Sequence, residues 1–355
     1  MKATVAILAA PKKVEFIEQE LPLVGDGGML IRMDAVGLCH SDLPAYCGSG
    51  VISVSRYGYR EPEPAKYPFV AGHEPVATVL ETGKNVKKFK AGDKISGRVF
   101  QCFRTHMVIP EADHFTNTAA LFKLPEMPGR DYRCCLAEIL DCVVNIVKSI
   151  APVFGDNVAV IGCGVMGLLS IAGLRKSGVK RLVAIDVLDK KLTLAKTFGA
   201  TDGWNPAKIE NLSEYAFERT AGQFFDVVVE ISGSIRGLDT ALQIVKFSHE
   251  NGHANRPFLG HGRVLIPSVY TKEETFPVRL ALNMIARTPT LHPVHPNYSI
   301  DPMHNEVEGI EAFVNGTLPL EQLITHRVKF EDLQTGMEWL VTPPEGFIKG
   351  LCLFD

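Results

Sequence analysis

NVAVIGCGVMGLLS, at residues 157–170, decides how the second half of the chain folds. Val158-Ala159-Val160-Ile161 is a short apolar run of the kind that forms a strand buried on both faces. Gly162-Cys163-Gly164-Val165-Met166-Gly167 follows at once, and the apolar stretch 168–174 reads as a helix running toward Gly178. Glycine at 162 permits a tight turn, and glycine at 164 lets backbone approach a pyrophosphate. Glycine at 167 lets the helix pack closely on the strand. The free N–H groups and positive dipole end of that helix attract phosphate. Gly162, Gly164, Val165, Met166 and Gly167 are therefore the expected pyrophosphate contacts.

A G-x-G-x-x-G string alone also marks ordinary glycine-rich turns, so its surroundings decide. KRLVAID at 180–186 is a second strand pattern, and it ends in Asp186, nineteen residues after Gly167. That is close to the spacing of a carboxylate that accepts hydrogen bonds from the adenosine ribose and repels a 2′-phosphate. Lys190 and Lys191 nearby soften that repulsion. DVVVEISG at 226–233 and GRVLIPSV at 262–269 supply two more buried-strand patterns with helix-length spacers. Ser232 and Val269, near the ends of those strands, and Lys191 complete the expected cofactor contacts. This half of the chain reads as a binder of NAD.

With 355 residues the chain is long enough for two domains, each with its own core. Its 46% apolar and 22% charged residues are ordinary for a globular protein. A net charge of −3 gives no electrostatic case for nucleic acid or anionic membrane as a partner. No apolar run approaches the ~20 residues that span a bilayer, and Pro11-Lys12-Lys13 cuts the first apolar stretch short of a signal-peptide core. The eight cysteines form no C-x-x-C pair and no disulfide framework, which fits a reducing cytoplasm.

Residues 1–153 read as mostly β, with short runs at 4–8, 14–18, 29–35, 76–81 and 93–99 between Gly, Pro and Asp turns. Residues 136–149 have helical spacing. Leu188, Leu192 and Ala195 mark another helix face that Gly199 should stop. After about 294 the chain returns to the first domain, with a helix at 306–315 and an extended segment at 320–330.

Three polar motifs stand out in the β-rich part. Gly37-Leu38-Cys39-His40-Ser41-Asp42 follows a strand, Gly72-His73-Glu74 comes thirty-four positions after Cys39, and Glu138 opens the helix at 136–149. Thiolate, imidazole and carboxylate together suit a catalytic Zn²⁺ that keeps one position open. Taken singly, each has a plainer reading. Cys39 or His73 would be a core residue, and Glu138 an acid favoured by the helix dipole.

G-L-C-H-S-D, G-H-E, an acid opening the linking helix, and V-I-G-C-G-V-M-G followed by A-I-D occur in one order. In this the chain resembles the zinc-dependent medium-chain alcohol and polyol dehydrogenases over nearly its whole length, including Leu323-Ile324-Thr325-His326-Arg327 near the end. The resemblance implies an α/β protein with a GroES-like β-rich catalytic domain at 1–149 and 295–355. A Rossmann domain at 150–294, with a doubly wound parallel sheet, would bind NAD. It implies Cys39 and His73 as zinc ligands, and Glu138 where sorbitol- and threonine-dehydrogenase-like members place a carboxylate. Glu74 would coordinate directly or alternate with Glu138. Asp42 would orient the metal-bound histidine, His40 would contact the pyrophosphate, and Ser41 would take the substrate's proton.

Three departures qualify it. The four-cysteine structural zinc lobe is missing. GRVFQCFRTHMVIP at 97–110 runs straight on with Cys102 alone, so one catalytic zinc per chain is expected. That segment would be held by β-pairing and by packing of Val99, Phe100, Phe103, Met107, Val108 and Ile109. Pro44 stands where a relay histidine is often found. The link at 47–69 is long and places Tyr46, Arg56, Tyr57, Tyr59 and Arg60 near where substrate should enter. His292 and His295 offer two further substrate contacts, or merely cap a strand end among prolines. The whole implies hydride transfer between NAD and a secondary hydroxyl of a polyol, sugar or cyclitol, by a homodimer or homotetramer. A sugar phosphate bound by Arg56, Arg60 and Lys66 is one competing reading, and a zinc-free nucleotide sensor is the other.

Overall fold

The computed structural model describes residues 1–49, 54–55, 58–59, 65–114, 119–247, 262–268, 278–295 and 302–354. Arg56, Tyr57, Arg60 and Val269, named above, lie outside them, and Tyr59 is placed by its backbone alone. The chain forms two compact units. The first comprises Met1–Leu140, Ile310–Val314 and Leu320–Asp355, and the second comprises Asp141–Gly309 and Asn315–Pro319.

The first unit begins with β1 (Lys2–Ala10) and β2 (Lys13–Glu20), an antiparallel pair. Then come β3 (Met29–Leu38), the short helix α1 (Leu43–Cys47) and the two-residue pair β4 (Val54–Ser55) and β5 (Gly58–Tyr59). After these run β6 (Pro75–Thr82), β7 (Lys94–Val99), β8 (His106–Ile109) and β9 (Ala119–Lys123). Helix α2 (Ala137–Ile150) starts here and continues into the second unit.

In the second unit β10 (Asn157–Ile161), β11 (Arg181–Ile185), β12 (Asp202–Trp204), β13 (Val227–Glu230), β14 (Arg263–Ile266) and β15 (Thr290–Pro293) form one parallel sheet. Between them lie α3 (Val165–Leu174), α4 (Asp189–Phe198), α5 (Leu212–Arg219), α6 (Ile235–Ile244) and α7 (Val278–Arg287). Helix α8 (Pro302–Val314) then leads back to β16 (Ile324–Lys329), α9 (Leu333–Val341) and β17 (Lys349–Leu353) of the first unit.

The parallel sheet has the order β12-β11-β10-β13-β14-β15. The chain starts at β10, winds outward through β11 and β12, then crosses back to β13, so the switch point lies between β10 and β13. Ligands of such sheets sit beyond the strand C-termini at that point. All five residues of β10 and all four of β13 are buried, as strands covered on both faces require. Helix α4 ends as expected on Gly199, at φ 116°.

The first unit is built on a sheet of order β16-β17-β3-β6-β7-β9, with β8 also pairing with β3. Its core gathers Met29, Ile31, Met33, Val36, Leu38, Tyr46, Ile95 and Phe103 with Leu333 and Met337 of α9. The sequence reading placed the domain breaks at 149 and 295. The structure places them inside α2, at Leu140, and inside α8, at Ile310. A helix is one covalent rod, so its periodicity gives no sign of where along it the packing partners change.

Candidate active site

Strand register assembles a polar cluster from distant segments. Strands β3 and β6 pair antiparallel with Val36 opposite Pro75, and Gly37 N donates to Glu74 O at 3.0 Å. The end of β3, where Cys39 follows, is thereby set beside His73-Glu74, which precedes β6. Strand β17 pairs with the same end of β3, Gly350 opposite Leu38, and brings in Lys349. Gly37 has no spare room. A Cβ there would lie 1.8 Å from Glu74 Oε2 and 2.9 Å from Leu136 Cδ1.

Ligand atoms of Cys39, His73 and Glu74 all lie within 4.8 Å of one another. Ser41 Oγ is 3.2 Å from Cys39 Sγ and 2.9 Å from His73 Nε2. On the other side of the imidazole, Asp42 Oδ1 lies 3.3 Å from His73 Nδ1 and accepts from Gly72 N at 3.2 Å. The ring is thus held from behind with Nε2 turned toward the cluster, the arrangement that fixes tautomer in a metal-ligating histidine. Burial alone would depress the His73 pKa. The Asp42 carboxylate and the Cys39 sulfur outweigh it and hold it well above the ordinary histidine value.

Lys349 went unseen in the sequence. It is 3% exposed, and its Nζ lies 2.8 Å from Glu74 Oε1 and 2.6 Å from Oε2. Only the first contact has hydrogen-bond geometry, so Glu74 Oε2 is buried with no hydrogen-bond partner among the described residues. Burial opposes the lysine's charge, but Glu74, then Cys39 and Glu138, raise its pKa above the ordinary value. A lysine opening an otherwise apolar last strand was the available signal.

The donor set fits a zinc ion: one sulfur, one imidazole nitrogen oriented by a carboxylate, and one buried carboxylate oxygen without a hydrogen bond. Glu138 stands outside this trio. Ala137 N donates to Ser96 Oγ at 2.9 Å and Ser96 Oγ donates to Pro75 O at 2.9 Å, a tie that fixes where α2 opens. Glu138 then reaches the site through its field on Lys349. In the expected ligand set, the carboxylate placed beside Cys39 and His73 is Glu74.

Tyr46 departs from expectation. It is fully buried and its hydroxyl accepts from Gln334 Nε2 at 2.7 Å, so it packs the core and offers substrate no surface. Phe100 departs the other way. Val99, Phe103 and Ile109 are buried as expected, but Phe100 is 46% exposed. His40 is exposed in the turn after Cys39. His292 and His295 are exposed, one on β15 and one just beyond it.

In the second unit the glycine turn lies at the β10 end of the switch point. Gly162 has φ 98°, and a Cβ on it would meet the Ser232 backbone at 2.9 Å. A Cβ on Gly167 would sit 1.9 Å from Gly162 O, whereas one on Gly164 would meet nothing within 4 Å. The chain itself therefore needs glycine at 162 and 167 but not at 164. The open space there suits a pyrophosphate against the α3 N-terminus. Asp186 is bound into the turn, accepting from Cys163 N at 2.8 Å and Leu188 N at 2.9 Å. Ser232 N and Oγ both donate to Glu230 Oε1, a fully buried carboxylate at the end of β13.

The alcohol dehydrogenase GroES-like domain matches residues 25–138, and the zinc-binding dehydrogenase domain matches residues 165–249. Sorbitol dehydrogenase 1 of Saccharomyces cerevisiae is 30% identical over 261 residues, 65% of this chain and 70% of that protein. A probable D-xylulose reductase A of Aspergillus terreus is 25% identical over 92% of both chains. Among solved structures, an Escherichia coli oxidoreductase/dehydrogenase of unknown specificity superposes with a TM-score of 0.80. It is 22% identical, with all of both chains covered. With its donor trio and its glycine turn in place, the chain is an oxidoreductase of the zinc-type medium-chain alcohol dehydrogenase family.

Proposed function

We propose that this protein oxidises a secondary hydroxyl of a polyol, sugar or cyclitol to the carbonyl, with NAD as hydride acceptor and one zinc per chain. The observation that carries it is the meeting of Cys39, His73 and Glu74 beside Ser41. Bound zinc would supply a Lewis acid that makes an alcohol proton easier to remove near neutral pH. Cys39 Sγ, His73 Nε2 and Glu74 would hold the ion, and Asp42 keeps the imidazole turned toward it. Ser41 Oγ, in reach of both Cys39 and His73, would accept the hydroxyl proton. Lys349 holds the Glu74 carboxylate in place.

On the cofactor side, the N–H groups at the start of α3 would receive the pyrophosphate. Asp186 would take the ribose hydroxyls and disfavour a 2′-phosphate. The missing lobe supports one zinc per chain: Cys102, the lone cysteine of 97–110, is fully buried against Gly72. Eight free cysteines support a cytoplasmic setting, and among the described residues no helix is long and apolar enough to cross a membrane. The names of the sorbitol and xylulose relatives support a polyol-type substrate.

The test joins metal analysis of chelator-washed protein to a reduction screen of NAD and NADP with polyols, hexoses, cyclitols and their phosphates. We expect zinc near one per chain and a higher kcat/KM with NAD on an unphosphorylated polyhydroxy substrate. A ratio near two, a preference for NADP, or an absolute requirement for phosphate would each defeat the corresponding part of the reading.

A further inference from the structure

The strap between β7 and β8 makes a tight reversal. Gln101 takes φ 64°, and its carbonyl accepts from Arg104 Nε at 2.8 Å. Cys102 N donates to Gly72 O and Phe103 N to Ala71 O, both at 3.3 Å, while Phe103 O accepts from Ala6 N at 3.0 Å. Cys102 and Phe103 are buried, at 0% and 1%. The strap is therefore docked on residues 71 and 72, and it leaves Phe100 and Gln101 exposed. The Phe100 ring centroid lies 6.2 Å from that of His73, with the planes tilted by 34°.

A single exposed aromatic means little on a protein surface. This one is fixed by a hydrogen-bonded strap, and it borders an imidazole of the metal-competent trio. A rigid aromatic beside a small polar cluster is how pockets for small polyhydroxy molecules combine apolar and polar contacts. The faces of the ring carry negative charge density and attract C–H edges. A cyclic sugar or cyclitol presents several C–H bonds on one flat face while its hydroxyls project from the rim. An open-chain polyol, free to rotate about every C–C bond, must give up that freedom to present the same face.

We propose that Phe100 is a specificity-determining residue. It stacks on the C–H face of a ring-shaped polyhydroxy substrate and selects rings over open-chain polyols while one hydroxyl reaches toward His73 and Ser41. This rests on the dehydrogenase reading for the position of the reacting hydroxyl, but the stacking is measurable without turnover.

The experiment measures binding by calorimetry and by saturation transfer from protein to ligand protons, with the zinc-loaded protein and no cofactor. myo-Inositol and methyl β-glucopyranoside serve as ring probes, and sorbitol and xylitol as open-chain probes. Wild type is expected to bind the ring probes about tenfold more tightly, with transfer concentrated on ring methine protons. Phe100→Leu, which keeps apolar bulk, should erase the preference, Phe100→Trp should keep it, and both should retain zinc content. Three results overturn the proposal: no ring preference in wild type, equal weakening of all four probes in Phe100→Leu, or weakened NAD binding with unchanged probe binding. Failure of every alcohol to reduce the cofactor would instead sink the dehydrogenase reading, and the binding preference would still decide the role of Phe100.

Discussion

The two candidate binding regions are built in opposite ways. The cofactor turn comes almost entirely from one continuous stretch, β10 through Asp186, whose parts contact one another directly: Asp186 accepts from Cys163 N. The metal-competent cluster draws Cys39, His73, Glu74 and Lys349 from three segments, and the last is 275 residues from the glutamate it pairs with. Only the register of β17, β3 and β6 brings them together. A local site stands or falls with its own turn. An assembled site inherits every long-range tie of its sheet, so distant changes should reach the second far more readily than the first.

The largest expected effect sharpens that contrast at its centre. His73→Ala removes the nitrogen that Asp42 orients, and should cost on the order of 10³-fold or more in kcat/KM. Zinc content should fall with it, while NAD binding, measured by calorimetry, stays within about twofold. Retained zinc and activity would show that the trio is not the metal site.

That asymmetry also explains what the sequence disclosed. Strand, turn, helix and acid at 157–186 follow one another, so spacing alone marks the glycine turn, and the helix boundary at Gly199 follows from the αL position only glycine fills easily. Cys39, His73 and Glu138 stand out as residue types suited to zinc and the family resemblance joins them, but nothing in spacing tells which carboxylate a sheet register will carry inward. Lys349 was missed for the same reason: its partner is set by β17 pairing with β3. Tyr46, in the five-residue α1, and Phe100, just past β7, lie in stretches too short for a periodicity that separates a buried face from an exposed one. Helix α9 and strand β17 lie in a stretch with no motif to anchor them.

Lys349→Met tests the next level. Removing one partner of a buried ion pair leaves Glu74 uncompensated, which typically costs about 3–5 kcal/mol. Urea unfolding of the metal-free variant should show that loss, and added zinc should stabilise the variant more than wild type because Glu74 regains a cation. A loss below about 1 kcal/mol, with equal zinc stabilisation in both proteins, would make the pair incidental.

The cofactor turn is tested by two glycines three residues apart. Gly167→Ala drives a Cβ to 1.9 Å from Gly162 O and should cost about 1–3 kcal/mol of stability, since backbone on backbone has little room to yield. Gly164→Ala meets no protein atom within 4 Å. It should change stability by less than about 1 kcal/mol while weakening NAD by roughly tenfold or more through contact with the pyrophosphate. If Gly164→Ala bound NAD normally, the open space beside it would not be the phosphate site.

The smallest effect concerns a tie that belongs to neither site. Asp131 precedes α2 and accepts from Arg133 N and Nε at 3.1 and 2.9 Å, and from Arg327 of β16 at 2.9 Å. Partial burial works to raise its pKa, but the two guanidiniums and the backbone N–H outweigh that and hold it below the ordinary aspartate value. A carboxyl whose folded pKa is depressed adds stability that is complete above its unfolded pKa. That stability is lost as pH falls through the folded value. Arg327 is 41% exposed, so screening limits the contribution to about 1 kcal/mol. Each unit holds one of the two tryptophans, Trp204 in the second and Trp339 in the first. In a Trp204→Phe background, fluorescence therefore follows the first unit. Asp131→Asn should lower its urea midpoint by an amount that is constant from about pH 5 to 8 and shrinks below about pH 4. The Trp204 signal, read in a Trp339→Phe background, should not move. A midpoint difference that persists undiminished at pH 3, or that appears equally at Trp204, would mean the tie is not what holds β16 to the approach of α2, and that the two regions do not differ in their dependence on distant contacts.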